Sequence, residues 1–225
     1  MKKILALILA VSMLFCFAAC GMFNEKDDDD VKGSVKNSSG ELVDAEAAFS
    51  LGKTEGSDYE NKFLGLGFKI ANGWSFYSEE QIAELNGITE EMLDEDLADA
   101  LEESNYFYDV FAHSTDQKSS INIVFEKKTK RIVEKLDLEE SAEISLQGVI
   151  DTYKNMGLSD MKSEIKKVNI DGEKYTGFTL TSSLGDTTLY QTCFMVKREN
   201  YIVSVSASAT SEAELNDLIE SFYHL

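Results

Sequence analysis

Four strand-like segments joined by short turns lie in the second half of the chain. They restrict the possible folds more than any other feature of the sequence. The turns contain Asp171-Gly172, Gly185-Asp186 and Asn200, residue types that tolerate the backbone angles of tight connections. Short connections pair consecutive strands in opposite directions. The sequence therefore predicts an antiparallel meander with the strands SEIKKVNI (163–170), EKYTGFTL (173–180), TTLYQTCFMVK (187–197) and YIVSVSASA (201–209).

The third of these strands is apolar on both of its sides. Leu189, Cys193 and Met195 share one side. Tyr190, Phe194 and Val196 share the other. A strand of this kind is buried on both faces of its sheet, which predicts helices packed on both sides.

Four helices are predicted from capping residues and apolar stripes. Ser78 with Gln81, Asp137 with Glu140, and Ser211 with Glu214 are start signals, and Thr89 can cap a further helix. Gly87 and Gly157 are suited to end the first helix and the long one. The predicted buried stripes are Leu93, Leu97, Ala100 and Leu101 after Thr89; Ala142, Leu146, Val149, Ile150 and Tyr153; and Leu215, Leu218, Ile219 and Phe222.

Two further pairs of strands complete the predicted architecture. YFYDVFAH (106–113) and SSINIVFEK (119–127) are predicted strands joined by a turn-rich segment. In the second, Ile121, Ile123 and Phe125 alternate toward one face, as in a half-buried strand. NKFLGLGFKI (61–70) and WSFYS (74–78) flank Asn72-Gly73, which predicts a hairpin. The fold class is α+β, a mainly antiparallel sheet flanked by helices.

The first residues of the chain predict export. Met1-Lys2-Lys3 precedes the uncharged segment ILALILAVSMLFCFAA (4–19), which is shorter than the roughly 20 residues that span a bilayer. The last two residues of this segment and the two after it, Ala18-Ala19-Cys20-Gly21, resemble the lipobox of bacterial lipoproteins. That resemblance implies cleavage before Cys20 and a diacylglyceryl group on its thiol, which would place the protein on the extracytoplasmic face of the cell membrane. An ordinary signal peptide or an uncleaved anchor is the alternative.

This processing divides the chain into a signal peptide (1–19), a lipid-anchored acidic linker (20–58) and a single domain (59–225). The linker is rich in Gly, Ser, Asp and Lys and lacks apolar periodicity. Its short apolar stretch, residues 42–51, can dock on the domain as a helix. The adjacent carboxylates at 27–30 lack the spacing of a calcium loop, so a solvated charge run is the simpler interpretation.

Net charge narrows the possible partners. Loss of Lys2 and Lys3 with the signal changes the formal charge from −20 to −22. Such a chain avoids nucleic acid and repels anionic lipid headgroups. Any charged partner is expected to be cationic, for example calcium or a basic protein surface, although an excess of acid often serves only solubility. With Cys20 acylated and Cys16 removed, Cys193 is the remaining cysteine, which excludes an intramolecular disulfide.

The order of predicted elements resembles the PsbP-like fold, named after an extrinsic subunit of photosystem II. YENKFLGLGFKIANGWSFYS is similar to the start of bacterial lipoproteins of this group, which place Gly-Trp after a first strand. YIVSVSASATSEAELNDLIESF resembles their last strand and helix. The resemblance covers residues 59–225 and implies an α/β/α sandwich with a non-enzymatic role in binding or assembly. It transfers no functional residue.

A search for catalytic motifs leads to the same expectation. The sequence has no Gly-x-Ser-x-Gly, Ser-x-x-Lys, His-Glu-x-x-His or Walker-type motif. His113 with Asp109 and Asp116 could form a metal or acid–base cluster, because Asp109 has the strand parity of His113; a solvated loop is the simpler interpretation. Cys193 is read as a core residue rather than a nucleophile. We predict no catalytic residue, no metal and no cofactor, although the abundant carboxylates leave a glycosidase pair open.

Aromatic residues near strand ends are the candidate binding surface. Trp74, Tyr77, Tyr106 and Tyr108, next to acids such as Glu79 and Asp109, could form a platform for a sugar or a peptide. Alternatively, half of them point inward and close the core. The leading functional hypothesis is a tethered binding or assembly module for an envelope protein. A small-ligand or cation binder is the alternative, and an envelope hydrolase is the third class.

Overall fold

The computed structural model describes residues 49–88, 101 and 104–225. These residues form eleven strands and four helices. In chain order they are β1 Lys53–Glu55, β2 Asp58–Asn61, β3 Leu66–Lys69, β4 Trp74–Phe76, α1 Glu79–Leu85, β5 Tyr106–Ser114, β6 Ser120–Lys127, α2 Lys130–Lys135, α3 Leu138–Asn155, β7 Ser159–Ile170, β8 Glu173–Leu184, β9 Thr187–Arg198, β10 Tyr201–Ala209, α4 Glu212–Glu220 and β11 Phe222–His224.

Two antiparallel sheets are formed by these strands. The larger has the order β4-β5-β6-β10-β9-β8-β7, and the smaller has the order β1-β2-β3-β11. Strands β7 to β10 pair consecutively, as the short turns predict. The predicted α+β class and the meander are therefore confirmed.

The core lies on both faces of the larger sheet. Phe194 and Val196 of β9 belong to the main cluster between the two sheets and α4, which also holds Leu215 and Leu218. Cys193 and Met195 belong to a second cluster beneath α3, with the predicted stripe Ala142, Leu146, Val149 and Tyr153. The alternate side chains of β9 thus enter different clusters, and the prediction that both faces are covered is confirmed. One face is covered largely by the smaller sheet, which the sequence did not predict.

The predicted helix starts are confirmed by their hydrogen bonds. Ser78 and Gln81 form a reciprocal capping box at α1. Asp137 accepts from the backbone N–H groups of Glu139 and Glu140 at α3. The hydroxyl of Ser211 accepts from the N–H of Glu214 at α4. The helix predicted after Thr89 lies outside the described residues except for Leu101, which is buried in the main cluster.

The hairpin predicted around Asn72-Gly73 is wrong. Strand β3 pairs with β2 on one edge and β11 on the other, so no edge remains for β4. Strand β4 pairs instead with β5, and the turn at Asn72-Gly73 carries the chain from the smaller sheet to the larger one. The predicted strand 61–70 is also interrupted, because residues 62–65 form a turn between β2 and β3.

Both ends of the folded part differ from the prediction. Phe222 does not continue the stripe of α4; it begins β11 and pairs with Phe68. Phe49 and Leu51 pack against the main cluster, and β1 precedes residue 59, so the fold includes part of the segment assigned to the linker. Residues 49–52 are not helical. In the described ranges, none of the helices is both long and apolar enough to cross a membrane.

Candidate binding groove

An open groove of about 1010 Å³ lies where the smaller sheet, α4 and the start of β4 meet. It is formed by residues 56–58, 69–74, 217–218, Ser221 and Tyr223, and we call it the Trp74 groove. Three separate parts of the chain contribute to it. The groove therefore forms only when the ends of strands from both sheets and the helix α4 have come together.

The turn before Trp74 fixes one wall of the groove. The N–H of Trp74 donates to the carbonyl of Ala71 at 3.2 Å. Gly73 has a φ of 81°, in the left-handed region that favours glycine. Its carbonyl accepts from the N–H of Thr115 at 2.7 Å and from the Thr115 hydroxyl at 2.6 Å. The turn is thereby attached to the β5–β6 connection, which holds Trp74 in position.

Trp74 contacts both the core and the groove. Its half-buried side chain packs against the main cluster and also lines the groove. An indole suits this position because it combines a large apolar surface with a polar N–H. The two interpretations offered by the sequence, core anchor and binding surface, are compatible at this residue.

Tyr223 forms another wall and was not predicted. It pairs with Gly67 across the β3–β11 ladder. A Cβ atom at Gly67 would lie 2.7 Å from Cζ of Tyr223, so the absence of a side chain lets the ring lie on β3. Burial, followed by the negative charges of Glu60 and Asp58, raises the pKa of Tyr223. Sequence patterns did not predict this residue's role, because Phe222 fits the apolar stripe of the preceding helix and the short strand β11 was therefore not recognised.

Acidic groups outnumber basic ones in the groove. Asp58 forms an ion pair with Lys69 at 3.3 Å, and Asp217 of α4 adds a second carboxylate. An aromatic ring beside uncompensated negative charge attracts cations, since the ring face carries negative electrostatic potential. The groove is therefore suited to a ligand with a positively charged or hydrogen-bonding group.

The other three aromatic candidates do not join Trp74. Tyr77 contacts Phe111 and His113, with ring centroids 4.5 and 5.5 Å apart. Tyr106 and Tyr108 pack with Leu85 and Val124 in a small separate cluster, and Tyr108 is buried. Trp74 packs against the main cluster instead, whereas Tyr106 and Tyr108 belong to this separate one, so these rings and Trp74 form no common platform.

Asp109 occupies a β-bulge, which is neither the possible His113 cluster nor the solvated loop that the sequence suggested. The register of β5 and β6 shifts between Tyr108 and Val110, and the extra residue places Asp109 out of phase with His113. Its carboxylate accepts from the Tyr59 hydroxyl at 2.5 Å, the Asn61 amide at 2.8 Å and the Gly52 N–H at 2.9 Å. Asp109 is thus neither part of a His113 cluster nor an exposed acid beside the aromatics.

The environment of Asp109 is that of a structural connection. Burial raises the pKa of its carboxyl, and the hydrogen bonds from Tyr59, Asn61 and Gly52 partly oppose this effect. A cavity of about 380 Å³ lies beside it, also lined by Tyr77, Ser78 and Glu79. The bonds join the smaller sheet and the segment before it to the larger sheet. A bulge carries no reliable sequence signal, so this connection was missed.

The remaining candidates have ordinary surroundings. Nδ1 of His113 donates to the carbonyl of Ser114 at 2.9 Å. Asp116 accepts from the Ser114 hydroxyl and pairs with Lys118 at 3.1 Å within a turn. Among the described residues, no group of three or more His, Cys, Asp or Glu side chains is placed to hold a metal. Cys20 lies outside those residues.

Cys193 is a core residue, as predicted. Burial raises the pKa of its thiol to about 11, although a hydrogen bond with Ser206 opposes this change. A nucleophilic cysteine needs a lowered pKa and access to solvent. The buried thiol of Cys193 has neither property.

Among known proteins, solved structures of low identity resemble this chain. No protein-family model matches the chain, and no curated protein matches it. One similar structure is LpqN of Mycobacterium tuberculosis, involved in cell envelope biogenesis, with 10% identity, a TM-score of 0.37 and coverage of 69% of this chain and 79% of LpqN. Another is a protein of Bacteroides thetaiotaomicron with 8% identity, a TM-score of 0.36 and coverage of 76% and 49%. Similarities this low carry no argument about this chain.

Proposed function

We propose that this chain is a membrane-tethered extracytoplasmic lipoprotein with a PsbP-like domain that binds a partner without catalysis. The observation that carries the proposal is the Trp74 groove itself. Trp74 and Tyr223 line it together with the carboxylates of Asp58 and Asp217. Binding sites combine an apolar surface with a few polar groups that fix orientation, and the Trp74 groove has this composition.

The partner proposed for the groove is an extended, positively charged segment of an envelope protein. Asp58 and Asp217 supply two negative charges against the single positive charge of Lys69. A Lys or Arg side chain placed over Trp74 would gain a cation–π contact as well as the attraction of the carboxylates. The open form of the groove suits a chain that enters and leaves at its ends.

The tether is proposed from the sequence around Cys20. A basic start, an apolar segment and Ala18-Ala19-Cys20-Gly21 occur in the order that lipoprotein processing requires. Two acyl chains hold a protein stably on a membrane, since each buried methylene contributes about 0.8 kcal/mol. The domain would then meet partners confined to the same surface.

Crosslinking in cells, followed by mass spectrometry of the captured proteins, tests this function. The native chain should capture an envelope protein, and Cys20→Ala should lose it because the tether is absent. Asp217→Asn in the groove should reduce capture, whereas Asp186→Asn in the exposed β8–β9 turn makes the same charge change elsewhere and should not. Capture of no specific protein by the native chain would overturn the proposal. Turnover of envelope material that His113→Ala abolishes would overturn its non-catalytic part.

A saccharide or cation ligand is the second candidate, favoured by the same rings and carboxylates. A ligand that binds the folded state stabilises it by about 2.7 kcal/mol at 100 times its Kd. A rise in melting temperature with a saccharide or with calcium, lost in Trp74→Ala, would support this reading over a protein partner. An equal rise in the melting temperature of Trp74→Ala would show that the ligand binds outside the Trp74 groove.

A further inference from the structure

Strand β7 leaves a long edge of the larger sheet open. It pairs with β8 on one side, and in the part of the chain that the structure describes no strand pairs with its other side. It has twelve residues, whereas β4 at the opposite edge of this sheet has three. The outer backbone N–H and C=O groups of an edge strand can pair with a strand of another chain. We call the outer side of residues 161–166 the β7 edge.

The two faces of β7 carry different side chains along this edge. Met161 and Ile165 are half-buried and pack against the cluster beneath α3. Lys162, Glu164 and Lys166 lie on the other face, because side chains alternate along a strand, and all three are exposed. The β7 edge therefore has apolar side chains on one face and charges of alternating sign on the other.

The charges on this face are not paired within their own sheet. Strand β8 places uncharged residues opposite the three charged side chains, namely Thr181, Thr179 and Gly177. Among the described residues, none of the three charged side chains forms an ion pair. Val168 and Ile170 of the same face belong to the main cluster, so the covered part of this face begins only beyond Lys166.

A second copy of the same strand matches this pattern in one antiparallel register. With Ser163 opposite Ser163 of the copy, Lys162 faces Glu164 on the charged face, and Met161 faces Ile165 on the other. Opposite charges and apolar pairs directly across two strands both stabilise the pairing. Each contact occurs twice, because a two-fold axis makes the two sides of the interface identical.

The neighbouring registers lack this match. Centring the pairing on Lys162 or on Glu164 would place two like charges opposite each other, which destabilises a sheet. Centring it on Ile165 would place Lys162 opposite the buried Val168. The charges of β7 thus favour the register centred on Ser163.

A bulge limits the length of the pairing. The register of β7 and β8 shifts between Ser159 and Lys162, and Asp160 has a φ of 52°. Such a bulge bends the strand, so the regular pairing covers residues 161–165. Lysines on an edge usually prevent contact with another strand, whereas in this register Lys162 meets an acid.

We infer that two copies of this chain pair through their β7 edges, with Ser163 at the two-fold axis. The two larger sheets would then continue into each other through antiparallel backbone hydrogen bonds. None of residues 161–165 lines the Trp74 groove, so both grooves of the dimer would stay open. The inference does not depend on the proposed function.

Disulfide formation between copies tests the register. The full chain with Cys16→Ser and Cys20→Ala retains only the buried Cys193, and Ser163→Cys adds one thiol at an exposed position. The purified chain is oxidised with copper phenanthroline in mild detergent and separated by non-reducing electrophoresis. Directly opposite residues have Cβ atoms about 5 Å apart, which a disulfide can bridge after a small adjustment, so Ser163→Cys should form a covalent dimer.

A matched cysteine on the same strand is the control. Asn169→Cys is exposed and lies on the same face of β7 as Ser163. Its two copies would lie at opposite ends of the paired strands, so this variant should stay monomeric. A monomeric Ser163→Cys chain, or equal crosslinking of Asn169→Cys, would overturn the inference.

Charge exchange in the Ser163→Cys chain tests the ion pairs. Lys162→Glu places a second acid opposite Glu164 and should reduce the crosslinked fraction several-fold, as should Glu164→Lys. The chain that carries both changes has opposite charges again and should recover its crosslinking. Lys174→Glu, exposed on β8 outside the pairing, makes the same charge change and should have no effect. Failure of the exchanged chain to recover would overturn the proposed register.

Discussion

The hydroxyl of Tyr59 in β2 donates a 2.5 Å hydrogen bond to Asp109 in the bulge of β5. Asn61 and the Gly52 N–H donate to the same carboxylate. One side chain of the larger sheet thus satisfies three donors from the smaller sheet and the segment before it. This arrangement makes Asp109 a structural rather than a ligand-binding acid.

Asp109→Ala should destabilise the fold strongly. It leaves buried Tyr59 and Asn61 donors without their acceptor, and such losses cost about 3 kcal/mol in total. Urea unfolding of the variant and the native chain measures the difference in unfolding free energy. Asp116→Ala, in an exposed turn, is the comparison and should cost less than about 1 kcal/mol. Equal losses for the two variants would contradict the role of Asp109.

Stability should also depend on pH through Asp109. Burial raises the pKa of this carboxyl in the folded state, so the folded chain holds the proton more tightly than the unfolded chain. The contribution of Asp109 to the unfolding free energy therefore increases as pH falls from neutral through its folded pKa, and it levels off below its unfolded pKa.

Unfolding measured at several pH values, with Asp109→Asn as the reference, isolates this effect from the many other carboxylates. The native chain should gain stability relative to Asp109→Asn as the solution is acidified. A constant or decreasing difference would show that the folded state does not raise this pKa.

Gly67→Ala should disturb the wall of the Trp74 groove. The added Cβ would lie 2.7 Å from Cζ of Tyr223 and 2.8 Å from the carbonyl oxygen of Tyr59, and such overpacking costs about 2 kcal/mol. Thermal unfolding gives the loss. Adding Tyr223→Ala should recover only the part caused by the ring, because the backbone clash remains. Full stability in Gly67→Ala would show that the ring does not lie on β3.

Cys193 should be unreactive in the folded protein. Burial raises the pKa of its thiol to about 11 and excludes reagents. In a chain carrying Cys16→Ser and Cys20→Ala, a thiol reagent should label Cys193 only after a denaturant is added. Rapid labelling of the native chain would place the thiol at the surface and reopen a chemical role for it.

The sequence predicted those elements whose signals are local. Turn residues and alternation located β7 to β10, and Ser78, Asp137 and Ser211 marked three helix starts that the hydrogen bonds confirm. Residue 222 shows the limit of such signals, because Phe222 matches the helical stripe yet begins a strand. The choice between the two depends on the edge of β3 that β11 occupies, a contact more than 150 positions away in the chain.

The sequence by itself determined the α+β class, the meander and the two apolar sides of β9, because period and turn chemistry act over a few residues. Only the tertiary structure decided which edge β4 pairs with, where Asp109 points and that Trp74, Asp217 and Tyr223 line one groove. Those outcomes depend on which strand edges are already occupied and on a single extra residue in a bulge. Competition between distant strands for the same edge produces no periodic pattern in the sequence.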